Sequence, residues 1–409
     1  MMENDGRERR RIKGICVTGR YDVIVLGAGA AGMMCAIRAG RRGRSVVVFD
    51  HAGAPGEKIR ISGGGRCNFT NIHAGPKNFL SANPHFAKSA LARFTPQDFI
   101  AMVERHGVAW HEKTLGQLFC DNSAKDIIRL LTDEMRAAGA QLRLRTEIGG
   151  IEQTASGYRV STSEGVFEAA SLVVATGGKS IPKMGATGFA YRVAEQFGLP
   201  VVETRPGLVP LTLDPLLLQG LAPLSGIAAP AEIRHGKTAF REALLFTHRG
   251  LSGPAILQIS SYWREGEDIT VVIEPDIDVF ALLKNAKQAN GRQSAQTALA
   301  EVLPKRLAQH FVESEGVTGN MADQSDKRLQ RLASAIQSWP VKPSGSEGYR
   351  TAEVTLGGID TACLDSRTMQ AKTAPGLFFI GECVDVTGWL GGYNFQWAWA
   401  SGHVAGEAA

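Results

Sequence analysis

The stretch that decides the fold is Tyr21–Gly32, YDVIVLGAGAAG. Tyr21–Leu26 is a short apolar run rich in β-branched residues. The glycine-rich Gly27–Gly32 then leads directly into Met33–Ala39, with small residues at helical spacing, so the segment reads strand, tight turn, helix. A second β-branched run, Ser45–Phe49, ends at Asp50. Together they make one βαβ unit, parallel because a helix carries the crossover. In such a unit Gly27 permits the turn, Gly29 lets the backbone approach a pyrophosphate, and Gly32 lets helix pack on strand. Ala30 opens the helix, whose free N–H groups and positive dipole end face the phosphates. Asp50 lies 18 residues after Gly32, where an acid receives ribose hydroxyls and repels a 2′-phosphate. The pattern therefore predicts a dinucleotide other than NADP; the competing reading is a glycine turn chosen for packing alone.

Working outward, Thr95 and Pro96 start a helix that runs to about His106, and another spans Ser123 to about Ala138. Gln141–Glu147, Tyr158–Thr162 and Leu172–Ala175 read as strands, the last ending in Thr176, Gly177 and Gly178. From about Leu199 the texture changes. Prolines recur at positions 200, 206, 210, 215, 223 and 230, β-like runs come next at Ala243–Thr247 and Ile269–Ile273, and a polar helical stretch covers Phe280 to about Ser338. The α/β pattern resumes near Tyr349, with a buried strand at Gly376–Ile380 and a terminal helix, Tyr393–Ala408. The expected organisation is a tail (1–20), an α/β domain in two parts (21–198 and 347–409), and an inserted β plus helical domain (199–346).

Composition narrows the class. Of 409 residues 44% are hydrophobic and 21% charged, which excludes disordered, collagenous and coiled-coil chains. The net charge of +5 sits mostly in the first 20 residues, where six basic side chains outnumber three acidic ones. A basic tail of that kind either contacts RNA or is simply solvated. Arg9–Lys13 imitates the start of an export signal, but Arg20 and Asp22 put charges where its apolar core would have to lie. Pro215–Ala231 and Val386–Gly402 are uncharged but broken by Gly and Pro, so no membrane helix is expected. Six scattered cysteines support neither a disulfide framework nor a metal site, and a cytoplasmic location is expected.

The segment Gly56–Asn71, GEKIRISGGGRCNFTN, concentrates Gly63 and Gly64 with Lys58, Ser62, Arg66 and Asn68. Flexible backbone and donors at that density suit phosphates and a flat ring. This loop resembles the hallmark of the HI0933-like (YhiN or BaiN-like) flavoprotein family. The resemblance continues through Val173–Tyr191, Leu244–Ala255, Thr355–Ile359 and Gly376–Gly402, leaving only the first 20 residues outside. It implies FAD bound in a Rossmann-like, two-dinucleotide-binding fold of the glutathione-reductase type. On the matching positions it implies that Thr176, Gly177 and Gly178 turn near the cofactor. Gly381 and Glu382 would stand against the ribityl chain. Gly392, Asn394 and Phe395 open the last helix, with its positive end beside the ring edge that gains charge on reduction.

The family resemblance further implies hydride transfer from reduced flavin to a carbon–carbon double bond, in a small steroid-like acid or in uracil of ribosomal RNA. The alternative is a flavin-bound interaction protein without activity. No second strand, GxGxxG, helix unit is present, so NAD(P)H use stays open. Cys67 and His248 are the proposed proton donors. Cys67 alternatively packs behind the glycine loop, and Ser252 alternatively caps a helix that leaves His248 structural. Trp389, Trp397 and Trp399 either stack on the ring or fill the core.

Overall fold

The computed structural model describes residues 17–409; the basic run Arg9–Lys13 and Cys16 lie outside the described residues. The first sheet uses β1 (Val17–Leu26), β2 (Val46–Phe49), β3 (Gln141–Arg143), β4 (Ile148–Thr154), β5 (Gly157–Thr162), β6 (Gly165–Val174) and β7 (Leu377–Phe379). Its order is β3-β2-β1-β6-β5-β4, with β7 also on β6. Strands β3, β2, β1, β6 and β7 are parallel. The first half of β6 pairs antiparallel with β5, and β5 with β4. One ten-residue strand thus serves both a Rossmann-type parallel sheet and a β-meander.

Two boundaries differ from the sequence expectation. Strand β1 begins at Val17, because Val17–Tyr21 pair with Val166–Ala169; residues 17–20 are strand and not tail. Strand β3 stops at Arg143 and not at Glu147. Arg145 takes φ +55 and its N–H turns to the Ala52 carbonyl, which breaks the ladder.

Helix α1 (Ala30–Arg41) and the terminal helix α2 (Tyr393–Ala408) pack against each other over the sheet. Close approach depends on Gly402, where a Cβ would stand 2.4 Å from the Ala31 carbonyl oxygen. Along α2 apolar residues lie on all sides, as expected of a helix buried all round.

A second apolar core gathers residues from Leu211 to Val341. Its antiparallel sheet includes Ala228–His235, Thr238–Phe246 and Ile269–Ile273. The expected single helical stretch is four helices, Val279–Ala289, Ala295–Leu299, Lys305–Ser314 and Asp326–Gln337. Ser294, Pro304 and Ser325 occupy the N-cap positions of the last three, which is why the stretch breaks there. Strands Val201–Gly207 and Val354–Ile359 pair antiparallel and carry the chain out to this core and back. Trp389 packs against both cores, and its Nε1 donates to the Tyr262 hydroxyl at 2.7 Å. Among the described residues, no helix is long and apolar enough to cross a membrane.

Candidate active site

The turn after β1 explains each fingerprint glycine differently. Gly27 has φ +106, and a Cβ there would meet the Ala175 carbonyl oxygen at 2.5 Å. A Cβ on Gly32 would lie 1.9 Å from the Gly27 carbonyl oxygen, so the helix sits directly on the turn. Gly29 is different: its φ is −83, and a Cβ would meet nothing within 4 Å. Neither backbone strain nor protein contact requires glycine at that position. It caps α1 without any side-chain hydrogen bond, so no capping side chain satisfies the first-turn N–H groups. Ala30, half-buried, stands at the same edge. The Asp50 carboxylate organises this turn, accepting from the Ala28 N–H at 2.6 Å and the Ala52 N–H at 2.8 Å. Beside it an open cleft of about 400 Å³ is lined by His51, Ala52, Glu57 and Lys183 among others.

The glycine loop comes next along the chain. Ser62 donates through Oγ to the Ile59 carbonyl, and Gly63 and Gly64 both take positive φ. A Cβ on Gly64 would enter open space, whereas one on Gly63 would strike Phe119. Arg66 is exposed, and the Asn68 carboxamide lies 3.1 Å from that of Gln117 beneath the loop.

Lys58 does more than flank the loop. Its ammonium donates to Ser180 Oγ at 2.7 Å and to Glu382 Oε2 at 2.6 Å, and Ser180 Oγ donates to Glu382 Oε1 at 2.6 Å. The Thr355 N–H also donates to Glu382 Oε1, while Thr355 Oγ1 accepts from the Lys179 and Ser180 N–H groups. Burial alone would raise the Glu382 carboxyl; Lys58, Ser180 and Thr355 outweigh it and hold the group below the usual carboxylate range. This cluster joins the glycine loop, the Thr176–Gly178 turn and the Gly381–Glu382 turn. A Cβ on Gly178 would meet Thr355 Oγ1 at 2.4 Å, while one on Gly177 would touch only Glu382, at 3.8 Å. Thr176 Oγ1 is buried without a hydrogen-bond partner.

At the other end, Gly392 caps α2 with φ +95, tight against the Thr70 carbonyl. Asn394 closes the preceding turn, donating to the Gly388 carbonyl and accepting its N–H. Gly381 takes φ +72 and donates to Ser401 Oγ. Phe395 stacks on Trp399 at 5.6 Å. Trp397 and Trp399 are fully buried, donating to the Gly381 and Phe69 carbonyls, so both fill the core.

The two expected proton donors fare poorly. Cys67 has no exposed surface, and burial pushes its thiol well above the ordinary range. It packs behind the loop, within the apolar core. His248 is exposed on the turn after Phe246, a turn held by Thr247 Oγ1 and not by the imidazole. The helix starting at Pro254 does form, but Gly253 is its cap and not Ser252, which ends a strand.

Sequence reasoning missed Ser180 and Thr355, two small hydroxyls with no distinctive spacing. It also missed Glu353. This residue lies just before strand Val354–Ile359, its N–H donating to the Leu208 carbonyl. Its side chain reaches solvent yet is walled by protein, and that burial pushes its carboxyl up to about 7.

The open space over Gly29, the free helix end, and the orphaned Thr176 hydroxyl fit an extended phosphorylated ligand, as FAD is. Comparison with known proteins agrees with this geometry. Residues 21–408 match the family model described as HI0933-like protein Rossmann domain. The chain is 53% identical over 388 residues to a ribosomal RNA dihydrouridine synthase of Escherichia coli, covering 93% of this chain and 96% of that protein. A protein of the same name from Haemophilus influenzae is 46% identical, with 93% and 96% covered. A 3-dehydro-bile acid delta(4,6)-reductase of Clostridium scindens is 27% identical, with 94% and 98% covered.

Proposed function

The chain belongs to the HI0933-like family, and on that premise we propose that it is an FAD-dependent reductase that saturates the 5,6 double bond of uracil in ribosomal RNA. The observation that carries this reading is the nearly full-length likeness to two proteins named as ribosomal RNA dihydrouridine synthases. Those names also favour an enzyme over an inactive flavin-bound interaction protein. A substrate in ribosomes implies a cytoplasmic location.

In this reading the first-turn N–H groups of α1 and the gap over Gly29 receive the pyrophosphate. Asp50 spends one lone pair of each oxygen on Ala28 and Ala52, which leaves acceptor capacity for ribose hydroxyls. Ser62 to Arg66 and Thr176 line the middle of the cofactor. Glu382 is largely engaged by Lys58, Ser180 and Thr355, so its main work is to fix the two turns that flank the ribityl chain. The N-terminus of α2 would offer its positive dipole end to the ring edge. Bound there and first reduced by a two-electron donor, the flavin would supply a hydride to one carbon of the double bond and return to its oxidised form. The chain must then hold a proton for the other carbon at neutral pH. Glu353, which reaches solvent and has a carboxyl raised to about 7, is the proposed donor; His248, exposed on its turn, is the second candidate, and the buried Cys67 is not one. NADH or NADPH is the proposed reductant.

The test is nucleoside analysis of ribosomal RNA from cells lacking the protein, with and without re-expression. Loss and recovery of dihydrouridine is expected. Unchanged dihydrouridine, together with reduction of an enone by the same holoprotein, would move the assignment to a small-molecule reductase. Anaerobic mixing with NADH and then NADPH reads the donor from bleaching of the flavin.

A further inference from the structure

A hairpin beside the glycine loop breaks a local rule. Strands Trp110–Glu112 and Gln117–Cys120 pair antiparallel, and their turn is closed by the Gln117 N–H donating to the Thr114 carbonyl at 3.0 Å. Its two central residues, Leu115 and Gly116, have φ of +53 and +77. This is the signature of a type I′ turn, whose first corner belongs to Asn, Asp or Gly. Leucine there sacrifices about 1–2 kcal/mol of backbone energy. Burial does not compensate, because Leu115 is 60% exposed. The leucine is thus held in an unfavourable backbone to put an apolar side chain in water.

Its location is fixed by Asn71, which is itself buried. One carboxamide nitrogen of Asn71 donates to the Leu115 carbonyl at 3.0 Å and to the Gly391 carbonyl at 2.9 Å. Laid end to end, those bonds put the two carbonyl oxygens no more than about 6 Å apart. Gly391 directly precedes the cap of α2, the helix end that faces the reacting ring in the proposed function. Gly116 docks tightly on Asn71 and His73, so the tip does not swing freely.

We propose that Leu115 is a wedge: when the target uridine leaves the helical stack to reach the ring, this side chain packs against the neighbouring base and fills the gap. The inference rests on the RNA reading of the site. A base inside folded RNA cannot present its 5,6 bond to a ring without unstacking, which costs a few kcal/mol. Inserted apolar side chains are the usual way proteins offset that cost. A single-stranded substrate has less stacking to lose and gains less from a wedge.

The variant Leu115→Asn supplies the residue the turn prefers, so its thermal midpoint should stay level or rise. Single-turnover reduction by photoreduced holoprotein is measured on ribosomal RNA lacking dihydrouridine and on oligouridylate, and FAD affinity is measured by fluorescence. The expected result is a fall of about tenfold in the ratio of kcat/KM for folded RNA over oligouridylate, with FAD affinity within about twofold of the parent. An unchanged ratio overturns the wedge and leaves the RNA reading standing. Loss of FAD affinity also overturns it, by showing that the cofactor covers Leu115. If the parent protein reduces neither RNA, the RNA reading fails and the wedge with it.

Discussion

Substituting Gly29 and Gly32 separately tests whether the turn after β1 is built for a ligand or for packing. At Gly32 the added Cβ would stand 1.9 Å from the Gly27 carbonyl oxygen and 3.2 Å from the Ala175 Cβ. Backbone cannot swing aside as a flexible side chain can, so α1 must lift off β1 and break its packing against the sheet. Overpacking of this kind costs about 1–3 kcal/mol, and Gly32→Ala should fall at the upper end. At Gly29 the added Cβ meets nothing within 4 Å, and φ of −83 suits any residue. Ala is a poorer N-cap than Gly, but it also restricts the unfolded chain, so the two effects nearly cancel in Gly29→Ala. Gly29→Val should then leave the midpoint of the FAD-free protein within a few degrees, while its branched side chain fills the gap proposed to receive the pyrophosphate. Loss of even one phosphate contact, at about 1.5–3 kcal/mol for a charged hydrogen bond, weakens binding by at least tenfold. Thermal unfolding of the FAD-free proteins and fluorescence titration with FAD read the two effects. A Gly29→Val variant that takes up FAD like the parent would refute the placement of the phosphates. A Gly32→Ala variant that unfolds like the parent would refute the packing argument.

Three further outcomes are expected. Glu382 has its carboxyl held low, so its stabilising effect is present above the ordinary carboxylate range and disappears as pH falls through the lowered folded value; in midpoint measurements from about pH 7 to pH 3, Glu382→Gln should show a shallower acid limb. Glu353 has the opposite sign: a carboxyl raised to about 7 loses stability as pH climbs from its ordinary range to that value. Glu353→Gln should abolish that decline between about pH 5 and 7 and, if it donates the proton, depress reduction of uracil at neutral pH while FAD binding persists. Trp389→Phe removes the donor to the Tyr262 hydroxyl that ties the two cores, and should lower stability by about 1 kcal/mol in denaturant titration.

Much of the fold was legible because local chemistry forced it. Tyr21–Gly32 specifies strand, turn and helix, with Gly27 and Gly32 at positions where any other residue would clash, and the structure starts α1 one residue past Gly29. Thr95 and Ser123 cap their helices as the side-chain acceptors predict. What escaped was set by distant partners. Nothing local to Arg145 announces that its N–H leaves the ladder for Ala52. Nothing in the sequence around Val17 announces a strand, since its pairing residue Val166 lies far along the chain. The site shows the same divide. The glycines were readable because their shape is their function, whereas Ser180 and Thr355 matter only because folding brings them to one carboxylate.

Cys67 shows why residue chemistry alone misleads. A thiol in a glycine-rich loop has the right reactivity for a proton donor, but reactivity requires surface, and Cys67 has none. Its backbone gives the physical reason for the burial. After Gly63, Gly64 and Gly65 take positive φ and Arg66 returns to φ −105, Cys67 takes φ +50, and its side chain lies in the apolar core. Glu353 inverts the case. It carries no motif, yet its N–H pairs with the distant Leu208 carbonyl, and the protein around its side chain raises the carboxyl to about 7, a value suited to holding a proton at neutral pH. Its candidacy as the proposed acid therefore comes from a pairing between the distant positions Leu208 and Glu353 and from no single stretch of sequence.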